Sequence, residues 1–171
     1  MKNLLLSLLV LGALTTRAQK AGVRPTNEFV VTGLVRQELR ITLEDIGKLP
    51  AKDIPDLAVT SHQGEPRGDL KQMKGVLLKD LLQNMALKED NPKLFSEFYF
   101  TFTASDNYKV VYSWNELFNS PTGNNIFIVT AIDGEPLQQM RSRILVITPT
   151  DFKTGRRHIK CLDKIVVGRT A

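Results

Sequence analysis

The chain has 171 residues, of which 42% are hydrophobic and 24% charged, close to the average for globular proteins, so no stretch lacks the apolar residues needed for a core. Its net charge of +5 and isoelectric point near 9.4 come from Lys and Arg spread along the chain, with one tight cluster near the C-terminus. A nucleic-acid binder would show a basic stripe or interleaved aromatics, and that class is excluded.

The first residues read as an export signal. Lys2 supplies a positive start, and Leu4 to Leu14 form an apolar run too short to cross a bilayer. Ala18 suits a cleavage point, and removal of Lys2 and Arg17 takes the net charge from +5 to +3. The expected organisation is a signal peptide over 1–18, a tail over 19–27 and one domain over 28–168. The mature chain has no membrane span and is periplasmic or secreted.

Glu28 to Val35 is β-branched and strand-like, and Glu38 to Ile41 continues as a second strand. Thr42 caps a helix carrying Leu43, Ile46 and Leu49 on one face, which Pro50 ends. Leu57 to Thr60 reads as a buried strand, and the polar Ser61 to Lys74 as a long loop of the kind that carries function. The spacing at 77, 78, 81, 82 and 85 predicts a helix over Val76 to Leu87. Glu97 to Thr103 and Tyr108 to Tyr112 form a hairpin across Ser105-Asp106-Asn107. Ser113-Trp114-Asn115-Glu116 is a capping box. Asn125 to Ala131 is a strand before the tight turn Asp133-Gly134. Ile144 to Thr148 and His158 to Val167 are the last strands. Short helices mixed with hairpins give an α+β fold with a mixed or antiparallel sheet.

Chemistry has few carriers. The two histidines, His62 and His158, belong to no zinc-binding pattern, and no metal site is expected. No nucleophile elbow or phosphate-binding glycine loop occurs. The one cysteine, Cys161, alternates with Lys160 in a strand and reads as a small core residue. Thr150 to His158 (T-D-F-K-T-G-R-R-H) gathers Lys153, Arg156, Arg157 and His158, with Arg141 and Arg143 before the adjoining strand. Guanidinium groups this close suit a phosphate ester or pyrophosphate, although a solvated charged loop has the same composition.

Taken in order, F-V-V-T-G-L-V, I-T-L-E-D-I-G-K-L-P, M-K-G-V-L-L-K-D-L-L, A-S-D-N-Y-K-V-V, A-I-D-G-E-P-L and the stretch from Ile144 to Val167 resemble the oxidoreductase molybdopterin-binding domain, the fold of sulfite oxidase. The resemblance covers roughly residues 28 to 168. It implies a pterin cofactor, molybdopterin, whose molybdenum is held by a cysteine thiolate after the strand ending at Thr60. Gln63 stands at that place, Met73 replaces a tryptophan, and Asn107 replaces a glycine. Carried over residue by residue, the resemblance puts His62, Gln63, Arg67, Asp106, Tyr108, Lys153, Arg156 and His158 around the cofactor. Three functions follow: a module binding a pterin or another anionic small molecule without the thiolate; a molybdenum oxidoreductase with His62 or Gln63 standing in; or a non-catalytic protein-interaction domain whose partner the sequence does not name.

Overall fold

The computed structural model describes residues 22–170; the signal peptide expected over 1–18 lies outside them. Twelve strands and three short α-helices make up the described residues, together with single 3-10 turns. The first sheet contains β1 (Glu28–Gly33), β2 (Leu39–Thr42), β7 (Phe98–Ala104), β8 (Lys109–Ser113) and β12 (Leu162–Arg169), in the order β2-β1-β12-β7-β8. β1 and β12 run parallel, with Val31 opposite Ile165, and the other neighbours are antiparallel. The second sheet orders β10 (Glu135–Pro136), β9 (Phe127–Ile132), β6 (Met73–Leu77) and β3 (Lys52–Ile54), with β11 (Val146–Ile147) also on β9. A separate ribbon pairs β4 (Leu57–Thr60) with β5 (Pro66–Leu70). The architecture is α+β with mixed sheets.

Period-2 alternation drives the first sheet inward. Phe29 and Val31 of β1, Phe100 and Phe102 of β7, and Ile165 and Val167 of β12 are all buried. Each such aromatic side chain contributes about 2–3 kcal/mol when removed from water. The second sheet is apolar on both faces. Val76, Ile128 and Val146 join the main core, whereas Leu77, Phe127, Val129 and Ile147 pack a smaller core with Leu57 and Leu145.

Double coverage explains one correction to the sequence reading. The stretch from Val76 is not a long helix: Met73–Leu77 is a strand, and only Leu78–Leu81 (α2) coils. A strand buried on both faces shows a continuous apolar run instead of alternation, and that run mimics helical spacing. The Ser61 to Lys74 loop is likewise half a ribbon. β5 is mostly exposed, so polar residues fill both its faces. The last strand starts at Leu162, not His158, because Cys161 takes a left-handed φ of 55°.

Local signals place the remaining elements. Thr42 and Asp45 close a capping box on α1 (Leu43–Gly47), as Ser113 and Glu116 do on α3 (Trp114–Phe118). Asp133 and Gly134 turn left-handed at φ 49° and 82° to link β9 and β10. Gly33 has φ 92°, and a Cβ there would stand 2.3 Å from the Val167 carbonyl oxygen. Only glycine fits where β1 leaves β12.

Candidate functional site

Three segments meet at one end of the molecule: the tip of the β4–β5 ribbon, the β7–β8 turn, and the 148–161 loop. The ribbon tip is knotted by Ser61. Its amide donates to the Glu65 carbonyl at 2.7 Å, and its hydroxyl accepts from the Gln63 and Glu65 amides. Thr154 then ties the loop to the ribbon. Its buried hydroxyl donates to the Ala58 carbonyl at 2.8 Å and accepts the Thr60 amide at 3.1 Å. Gly155 lies so close that a Cβ would stand 1.8 Å from the Thr60 carbonyl oxygen. Arg156 Nη2 donates to the His62 carbonyl at 3.0 Å.

The β7–β8 turn approaches from the other side. The Asp106 carboxylate accepts the Tyr108 amide at 3.0 Å, and Asn107 takes the left-handed conformation at φ 67°. Asparagine tolerates that region better than most residues, so it can stand where a glycine would. The Tyr108 hydroxyl donates to the Arg156 carbonyl at 2.5 Å.

Two adjoining cavities result. The first, of about 730 Å³, carries Lys109, Arg156 and Lys160 against Asp106, with Tyr108 on its wall. The second, of about 600 Å³, carries Arg67 and Lys160 against Asp69. His62, Gly155, His158 and Lys160 belong to both walls. Among the described residues no carboxylate forms an ion pair with Lys109, Lys153, Arg156 or Lys160. Arg67 has only Glu65 at 3.5 Å, in an exposed pair.

Burial, and secondarily the Lys160 charge, push the His158 pKa down to about 4. The imidazole is neutral at physiological pH. Its Nδ1 and the Thr60 Oγ1 are buried polar atoms without a hydrogen-bond partner among the described residues. Most buried polar atoms in folded proteins are paired, so these two are exceptions, and both belong to residues that line the second cavity.

The expected site residues divide. His62, Asp106, Tyr108, Arg156 and His158 line the first cavity, and Arg67 lines the second with His62 and His158. Lys153 stands outside both, in a depression beside the fully exposed Phe152. Gln63 is exposed at the ribbon tip and lines neither cavity. Lys109 and Lys160 escaped the sequence reading because each looks like an ordinary outward strand residue.

Arg157, in the same cluster, faces the other way. It pairs with Asp151 and with Glu116 at 2.8 Å and lies 4.6 Å over the Tyr112 ring. The Asp151 hydrogen bond raises its pKa further. Its work is structural.

The donor set does not fit a thiolate-held molybdenum centre. Cys161 is fully buried, its Sγ donates to the Arg141 carbonyl at 3.4 Å, and it lines neither cavity. Burial pushes its thiol pKa up, which disfavours the thiolate. No group of three or more His, Cys, Asp and Glu side chains is arranged around a metal position among the described residues. The cationic walls do fit a phosphate or carboxylate group.

The α+β fold is sulfite oxidase-like. Among solved structures, the chain is similar to the sulfane dehydrogenase SoxCD from Paracoccus pantotrophus, with a TM-score of 0.60 and 13% sequence identity over 84% of this chain. The chain covers 38% of that protein's chain, and at such identity the likeness shows the fold alone. No protein-family model matches the chain. No curated protein matches it either. No helix among the described residues is long and apolar enough to cross a membrane.

Proposed function

We propose that this chain is an exported domain that binds a phosphate-bearing small molecule, of the molybdopterin class or another organic anion, without a molybdenum thiolate. The observation that carries this reading is the pair of cavities sharing Lys160 and the neutral His158, with Arg156 and Lys109 on one side and Arg67 on the other. Two considerations support it. Lys109, Arg156 and Lys160 form no ion pair among the described residues and Arg67 has only its exposed pair with Glu65, so an anion meets a net cationic wall in a partly desolvated space. His158, held neutral by burial, adds no charge to the shared wall. The single cysteine of the chain is buried away from the cavities, and Gln63 at the ribbon tip offers molybdenum no soft anionic donor.

The test is ligand-dependent stabilisation. Inorganic pyrophosphate at a hundred times its Kd should raise unfolding free energy by about 2.7 kcal/mol, because it binds only the folded state. That corresponds to a melting shift of roughly 5–10 °C for a chain of this size. Arg156→Glu and Lys160→Glu should abolish the shift. No shift in the parent protein, or an equal shift in both variants, would overturn the proposal.

A further inference from the structure

We propose a second ligand site, separate from the basic cavities, that takes a small organic cation with an apolar body. It is a cavity of about 560 Å³ between α2, the 82–90 segment and α3. That volume falls in the usual range for small-molecule sites.

Its floor is aromatic. The Trp114 ring stands 5.4 Å from that of Phe95 and 5.8 Å from that of Phe118, and all three side chains are only partly buried. Met85 and Leu82 extend the apolar lining. The 82–90 wall is held by backbone pairing, with the Arg36 amide donating to the Ala86 carbonyl at 2.8 Å and the Lys88 amide to the Leu34 carbonyl at 3.0 Å.

Charge selects the occupant. Around the rim the cations are already engaged: Arg36 by Asp90 and the Leu87 carbonyl, and Lys79 by Asn124. Glu89 is satisfied by Arg169 at 2.9 Å and by the Asp90 and Asn91 amides. Asp80 is the rim carboxylate left over: it has no hydrogen-bond or ion-pair partner among the described residues, and it lines the cavity. An ammonium group on Asp80 with its apolar body over Trp114 and Phe95 meets both demands, since aromatic rings attract cations as well as hydrocarbon.

Trp114 is the single tryptophan of the chain, so intrinsic fluorescence reads this cavity directly. The experiment titrates the full chain with three probes sharing one aryl skeleton: phenethylamine, phenethyl alcohol and phenylacetate. Phenethylamine should change Trp114 emission saturably and bind roughly tenfold more tightly than the alcohol, and phenylacetate should bind most weakly. Asp80→Asn should erase the amine's advantage and leave the melting point near that of the parent. The ranking of probes on the parent protein stands as a test even where the variant folds poorly. Equal binding of amine and alcohol, an absence of saturable change, or exclusion of all three probes by a concentration-dependent dimer would each overturn the proposal.

Discussion

Thr154→Val tests how the basic site is assembled. The substitution keeps the volume of a buried side chain and removes one hydroxyl. That hydroxyl bridges two segments 94 and 96 residues apart, to Thr60 and Ala58. Each lost hydrogen bond costs about 1 kcal/mol, and the Thr60 amide left buried without an acceptor adds about 1 more, for roughly 2–3 kcal/mol in all. In a chain of this size the melting point should fall by roughly 5–10 °C. The loop would also lose its anchor to the ribbon, so pyrophosphate-dependent stabilisation should weaken beyond what the lower baseline explains. Thermal unfolding by circular dichroism, with and without pyrophosphate, measures both effects, and Thr154→Ser should restore both. A melting point within about 1 °C of the parent, with the pyrophosphate response intact, would refute the role assigned to this hydroxyl.

Adjacent arginines should part company. Arg156→Glu leaves the unliganded melting point nearly unchanged, because Arg156 is exposed and makes one surface hydrogen bond, while Arg157→Ala costs about 1–3 kcal/mol through the loss of Asp151, Glu116 and the Tyr112 ring together. Urea unfolding of the two variants separates these expectations. His158 is held near pKa 4 in the fold against 6.5 for the free side chain. The unfolded chain therefore binds more protons between those values, so this contribution is complete above pH 6.5 and is lost as the pH falls toward 4. The loss is about 3 kcal/mol at most, and His158→Asn should flatten that part of the stability–pH curve relative to the parent. Cys161 should resist a thiol reagent in the native state and react fully in denaturant, as measured by absorbance of the released thiolate.

Local signals carried much of the fold into the sequence. The capping boxes at Thr42 and Ser113, the Asp133-Gly134 turn and the alternating Phe98, Phe100 and Phe102 each follow from interactions within a few residues. The sandwiched β6 was illegible because its two faces pack into two cores, Val76 in one and Met73 and Leu77 in the other, built from distant parts of the chain. β4 was read at Leu57 to Thr60, but its partner β5 was illegible for the opposite reason: it is exposed, so burial imposes no pattern on Pro66 to Leu70.

The site was readable where residue type was unusual and opaque where position mattered. Arg156 and His158 stood out as part of a dense cationic cluster. Lys109 and Lys160 became visible only once the β7–β8 hairpin and the 148–161 loop closed around one space. Arg157 carries the same charge as its neighbour Arg156, yet its direction depends on Asp151 and Glu116, and Glu116 lies 41 residues away.

Metal and ligand content of the chain purified from its own host bears most directly on the central claim. Mass spectrometry should find a phosphate-bearing organic anion released on denaturation and no stoichiometric molybdenum. One molybdenum atom per chain, retained through purification and lost on replacement of Gln63 or Cys161, would contradict the account.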